Sequence, residues 1–121
     1  MARQSLMSSF GHAIDGIMTA AHERNFKIEL GFAVAAIALG IWLGNDMTQW
    51  AVVALCIGVV LSSECANTAL EAVVDLASPD YSELAKIAKD CAAGSVLVAS
   101  FASLFVAAFI YLPKLIAVFF G

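Results

Sequence analysis

The sequence predicts an all-α membrane protein in which three transmembrane helices follow an N-terminal amphipathic surface helix. Three observations lead there. The 121 residues are 62% hydrophobic and 13% charged, with a mean hydropathy of +0.91; a soluble domain is nearer roughly half apolar and a quarter charged. Long stretches carry no charge at all, the clearest being residues 92–112, which suffice to cross a hydrocarbon core of about 30 Å. Polar turn signals at 45–49 and 77–84 cut the apolar sequence into pieces of helix length. At this size a single membrane domain over residues 1–121 is expected.

The elements follow in order. Phe10, Ile14, Ile17, Met18 and Ala21 recur at steps of three and four, which predicts an amphipathic helix over about 3–22 lying along the membrane surface. The N-terminus lacks a continuous apolar core and a small-residue cleavage pattern, so no cleaved leader is expected. Residues 30–44 form an uncharged run whose helix begins earlier, near Asn25, giving a first span over about 26–44. "NDMTQ" at 45–49 reads as a tight polar turn, and the second span runs over about 49–76. "ASPDYSEL" at 77–84 reads as a turn at Ser78-Pro79 and a new helix start with Asp80 and Glu83 in its first turn. The third span covers about 84–112, and Pro113 ends it.

Smaller features receive structural readings. Gly40 and Gly44, and the stripe Ser95, Ala99, Ser103 and Ala107, are expected to be helix-packing surfaces. Trp42 and Trp50 flank the first turn as interfacial anchors. Cys56, Cys65 and Cys91 are irregularly spaced in apolar surroundings and read as small buried hydrophobes, and His12 and His22 as solitary histidines rather than metal ligands.

Orientation follows from the basic residues. Arg3, Arg24 and Lys27 precede the first span, Lys86 and Lys89 lie between the second and third, and Lys114 stands alone on the opposite side. The positive-inside bias places the N-terminus and the 76–91 segment in the cytoplasm and the C-terminus outside, in the inner (cytoplasmic) membrane. Eight of the ten acids, all but Asp15 and Asp46, fall at or near the same cytoplasmic end.

The informative stretch is "ECANTALEAVVDLAS", residues 64–78. Glu64, Asn67, Glu71 and Asp75 are spaced so that, at about 100° per residue, they share one helix face within roughly 80°. Glu64 lies about 16 Å deeper than Asp75. Charges are expensive within a bilayer, so such a face points to a bundle interior or a wet cleft. A polar seam that holds helices together is one reading, but carboxylates need a neutralising partner. Mg²⁺ held by one or two carboxylates together with phosphate oxygens supplies one economically. Lys89-Asp90 adds an ammonium that can reach phosphate, and Glu23 and Glu29 add carboxylates at the same level. The set suits phosphoryl transfer from a soluble nucleotide to a lipid hydroxyl, although neither a Walker loop nor a kinase glycine loop is present. The alternatives are a small proton- or cation-translocating bundle, since buried acids also mark ion pathways, and a structural membrane protein. A conduction path should continue polar residues to the outer face; residues 50–61 offer none, and the third span offers Ser95, Ser100 and Ser103.

"HERNFKIEL" at 22–30 and "ECANTALEAVVDLASPDYSELAKIAKDCAAG" at 64–94, with the three-span layout, resemble the small bacterial integral-membrane lipid kinase family, whose members are diacylglycerol kinase and undecaprenol kinase. The resemblance covers about residues 10–110, and the wording "SPDY…LAKIAKD.AAG" is closer to the undecaprenol kinase branch. It implies an ATP-dependent kinase acting on a lipid alcohol, undecaprenol in preference to diacylglycerol, with Mg²⁺, as a homotrimeric helical bundle whose active sites are shared between subunits. By the same resemblance Glu64 is the catalytic base and contacts the lipid, Glu71 and Glu23 are metal ligands that also face the nucleotide, and Asn67 and Asp75 support them. Lys89, Asp90, Asp80, Tyr81 and Ser82 match nucleotide-binding positions, and Glu29 an acid near the lipid. Between Gly16 and Glu23 the chain is one residue shorter than the family pattern, so residues 4–20 receive no assignment.

Overall fold

The computed structural model describes residues 5–121, which form four helices joined by short corners. Arg3, counted above for orientation, and the first residues of the expected surface helix lie outside the described residues. Helix α1 spans Leu6–Ala21, capped by Ser5, whose hydroxyl accepts the Ser8 amide at 3.1 Å. Helix α2 spans Arg24–Leu43. Its N-cap, Glu23, makes no capping hydrogen bond, so its carboxylate is free for other work. Helix α3 spans Met47–Ala77 and helix α4 spans Glu83–Phe120.

Helices α2, α3 and α4 are each long and apolar enough to cross a membrane. The 31 residues of α3 and the 38 of α4 extend about 46 and 57 Å at 1.5 Å per residue. Both exceed a hydrocarbon core of about 30 Å, so both project beyond it.

Three boundaries differ from the sequence expectation. The first turn is shorter than 45–49 because Asp46 caps α3: Asp46 Oδ1 accepts the Gln49 amide at 2.8 Å and Gln49 Oε1 accepts the Asp46 amide at 3.1 Å. This reciprocal box draws Met47, Thr48 and Gln49 into the helix. At the second corner Ser82, not Asp80, begins the new helix: Ser82 Oγ accepts the Ala85 amide at 3.1 Å, leaving Glu83 as the acid of the first turn. Pro113 does not end α4, which continues to Phe120. Proline forfeits one backbone bond, but packing against neighbouring helices tolerates this in a membrane segment. Here the residues beside it are tied down. Tyr111 Oη donates to the Ala36 carbonyl at 2.7 Å and accepts from Asn45 at 3.0 Å. Lys114 Nζ donates to the Gly44 carbonyl at 3.2 Å, Asn45 Oδ1 at 3.0 Å and Gln49 Oε1 at 2.7 Å.

The same turn separates the two glycines. Gly44 adopts φ 77°, a left-handed cap that ends α2, whereas Gly40 is the close-packing position. A Cβ on Gly40 would stand 2.6 Å from both Asn45 Nδ2 and the Trp50 ring. Trp50 therefore packs within the molecule, while Trp42 remains exposed.

Helix α3 packs chiefly on α4, α2 lies against both, and α1 touches α2 and α3. The buried stripe of α2 is Phe26, Ala33 and Gly40; that of α3 is Val53, Val60 and Glu64. These intervals of seven and four keep each set on one helix face. Glu64 thus occupies a core position that apolar residues hold elsewhere. Many large apolar side chains of α2–α4 face outward, as a surface in lipid or against other membrane helices requires.

Candidate active site

The α3 stripe carries Glu64 inward, and the same face continues through Asn67 and Glu71 to Asp75. Burial falls along it: Glu64 is 2% exposed, Asn67 and Glu71 are half-buried, and Asp75 is exposed. Glu64 Oε1 and Asn67 Oδ1 are buried without a hydrogen-bond partner. A buried oxygen left unpaired costs stability, so its retention points to a ligand or a reaction. Glu64 and Asn67 line a pocket of about 240 Å³ with Asn25, Ile28, Glu29, Ala93, Val96, Leu97 and Ser100. Glu29 of α2 is the second acid lining this pocket.

The neighbouring side chains set the geometry. Asn67 Nδ2 donates to Glu71 Oε1 at 3.4 Å, and Thr68 Oγ1 donates to the Glu64 carbonyl at 3.0 Å. Ser100 Oγ on α4 donates to Glu29 Oε1 at 2.7 Å, joining α4 to α2. Lys89 Nζ meets Asp75 Oδ1 at 2.6 Å, whereas Asp90 pairs with Lys86 Nζ at 2.6 Å. Lys89 and Asp90, neighbours in sequence, therefore belong to different ion pairs. Lys86 completes a second ammonium–carboxylate pair that the sequence reading left unassigned; its spacing of four from Asp90 was the available signal.

The 78–83 corner holds the remaining candidates. Ser78 Oγ donates to the Asp80 carbonyl at 2.9 Å, and Tyr81 Oη donates to Glu83 Oε1 at 3.0 Å. The Ser82 hydroxyl serves as the α4 cap. Tyr81 and Asp80 are exposed.

Among the described residues no three His, Cys, Asp or Glu side chains come together as a metal site. Glu23 at the head of α2 and Glu71 on the polar face of α3 offer two carboxylates. This donor set suits Mg²⁺, which keeps water and substrate phosphates as its other ligands, better than an ion held in an all-protein cage.

A second, apolar cleft of about 210 Å³ opens between α2, α3 and α4. It runs from Glu29 and Ser100 past Ala33, Val60, Ser103 and Ala107 to Tyr111. Glu29 and Ser100 line both this cleft and the Glu64 pocket.

The family model for prokaryotic diacylglycerol kinase matches residues 11–111. A diacylglycerol kinase of Synechocystis sp. is 44% identical over 93% of this chain and 66% of its own length, so the chain spans just under two thirds of that relative. An undecaprenol kinase of Bacillus subtilis is 42% identical over 88% of both chains. A diacylglycerol kinase of Escherichia coli is 30% identical over 78% of both.

Proposed function

The chain belongs to the prokaryotic diacylglycerol kinase family, a family of membrane lipid kinases, and from that premise we propose that it transfers the γ-phosphoryl group of Mg-ATP to undecaprenol. The observation that carries the reading is Glu64, a buried carboxylate with an unpartnered oxygen in a pocket that shares Glu29 and Ser100 with an apolar cleft. A lipid alcohol can reach that carboxylate from the bilayer side. The ion-paired lysines and the more exposed acids lie toward the other end of the polar face, where a water-soluble nucleotide arrives.

The reaction assigned to these residues balances simply. As the lipid hydroxyl oxygen bonds to the γ-phosphorus, its proton passes to the Glu64 carboxylate, and the bond from the γ-phosphorus to the bridging oxygen breaks to release ADP. Positioned general-base help of this kind is worth about 10²–10⁴-fold. Asn67 positions Glu71 through their shared hydrogen bond, and Glu23 stands at the head of α2. Glu23 and Glu71 would hold Mg²⁺, which when bound offsets the charge of the phosphates. Lys89 binds phosphate from its place against Asp75, and Asp90, Asp80, Tyr81 and Ser82 contact the nucleotide around the 78–83 corner. Asp75 anchors Lys89, and Glu29 approaches the lipid.

Undecaprenol is preferred over diacylglycerol on the "SPDY…LAKIAKD.AAG" wording and on the near-full-length match to the Bacillus enzyme. An ion-translocating bundle is a poorer reading, because beyond Glu29 and Ser100 the cleft is lined almost wholly by apolar side chains. A homotrimer with shared sites would cover the outward apolar surface and complete a site for which one chain supplies few ligands. The distribution of basic residues supports a cytoplasmic side for α1, the polar face and the 78–83 corner in the inner membrane, with α1 along its surface.

The test is purified protein in mixed micelles with labelled ATP and undecaprenol and diacylglycerol in competition. Faster labelling of undecaprenol is expected. Faster labelling of diacylglycerol would reverse the acceptor and leave the chemistry; labelling of neither would remove the kinase reading.

A further inference from the structure

The two cavities of the bundle differ in kind. One holds Glu64 and Asn67 with their unpaired oxygens; the other is an apolar cleft between three helices. Glu29 and Ser100 are the residues common to both linings, and they are hydrogen-bonded to each other at 2.7 Å across α2 and α4. The pair therefore stands at the junction between hydrocarbon-compatible space and the buried carboxylate.

The chemistry of that junction is specific. A carboxylate offers about four acceptor sites. Among the described residues, the one hydrogen bond the Glu29 side chain accepts comes from Ser100. Its remaining capacity suits a hydroxyl donor arriving from the cleft, a docking contact that the hydroxyl gives up when its single proton turns to Glu64. Ser100 itself contributes a short side chain with one hydroxyl, in a helix otherwise apolar on both sides of it from Val96 to Leu104 apart from Ser103. Without Ser100 the Glu29 side chain would lose its hydrogen-bond partner, and the junction its fixed acceptor.

We propose that Ser100 is a positioning residue for the acceptor. Its hydrogen bond fixes Glu29 where the cleft meets the Glu64 pocket, so an alcohol whose hydrocarbon chain lies in the cleft presents its hydroxyl to Glu64. The occupant of the cleft is the acceptor lipid's own chain, because Glu29 and Ser100 line both the apolar cleft and the Glu64 pocket. The proposal rests on the lipid-kinase reading and extends it to a residue outside the motif-bearing segments.

The experiment measures KM for undecaprenol and for Mg-ATP separately in wild type, Ser100→Ala and Ser100→Thr, in mixed micelles, with thermal unfolding in the same detergent. A hydrogen bond to a charged group is worth about tenfold or more, so Ser100→Ala should raise the acceptor KM about tenfold. Its Mg-ATP KM should not move, and Ser100→Thr, which retains a hydroxyl, should restore the acceptor KM. A purely structural residue would change both constants or unfolding alone. An unchanged acceptor KM in Ser100→Ala, equal shifts in both constants, or failure of Ser100→Thr to restore it would each overturn the proposal while wild-type turnover upheld the kinase reading. Absence of lipid-dependent turnover in wild type would overturn both.

Discussion

Replacing Glu64 by glutamine should separate catalysis from stability by moving them in opposite directions. The carboxylate is 2% exposed, one of its oxygens has no partner, and the charges of Glu29, Glu71 and Glu23 all repel it. An amide of the same shape removes that repulsion. It also brings a donor beside Asn67 Oδ1, the other unpaired buried oxygen, one helical turn away on the same face. An unsatisfied buried group costs about 1–3 kcal/mol, more when charged, so Glu64→Gln should stabilise the fold by an amount of that order. Turnover should nevertheless fall about 10²–10⁴-fold, since an amide cannot take the acceptor's proton. Mg-ATP binding should persist, because Glu64 is assigned to neither metal nor phosphate. The measurements are thermal unfolding in detergent, nucleotide binding by calorimetry, and phosphoryl transfer to undecaprenol, all on one preparation. Retained turnover would remove Glu64 from the chemistry. A fall in stability together with turnover would make it a structural residue, and loss of nucleotide binding would move it into the nucleotide site.

The other expectations are shorter. Glu71→Gln and Glu23→Gln should each cut turnover severely in a folded protein and be partly rescued by raised Mg²⁺; near-normal rates of both at low Mg²⁺ would refute the metal assignment. Lys114→Met removes three hydrogen bonds at the opposite end of the bundle. Because that ammonium is only half-buried, the cost should be about 1–2 kcal/mol in unfolding, with turnover near wild type. Turnover that fell in step with the number of broken contacts, without loss of stability, would mean that this end takes part in the reaction.

The apolar runs were legible because membrane helices announce themselves by length and the absence of charge, and the polar face of α3 by its spacing on a single helix. Local chemistry decided what was missed. The Asp46–Gln49 box is a reciprocal side-chain arrangement that a reading of "NDMTQ" as uniformly polar passes over. Pro113 reads as a stop because its cost is local, whereas the contacts of Tyr111 and Lys114 that hold the helix on either side come from α2, the corner after it and the start of α3. The Ser100–Glu29 bond joins residues 71 apart, and a lone serine in a membrane helix has no sequence signature that distinguishes it from Ser95 or Ser103. Lys89 and Asp90 read as a unit by adjacency, but successive helical residues point about 100° apart and so found separate partners.

The knot of hydrogen bonds around Asn45, Tyr111 and Lys114 makes the bundle mechanically unequal along its length. One end is stitched between helices; toward the other, the polar ties between helices are the Ser100–Glu29 bond and the solvent-facing Lys89–Asp75 pair. Such an object behaves as a pair of tongs with its fulcrum at the stitched end. Measured along α3 from Trp50, Glu64 lies about 21 Å from the fulcrum and Asp75 about 38 Å. A small splaying of the helices therefore displaces the level of Asp75 nearly twice as far as that of Glu64. In the proposed reaction, the jaws that would admit and release a soluble nucleotide have the longer throw, and the carboxylate that would meet the lipid hydroxyl has the shorter.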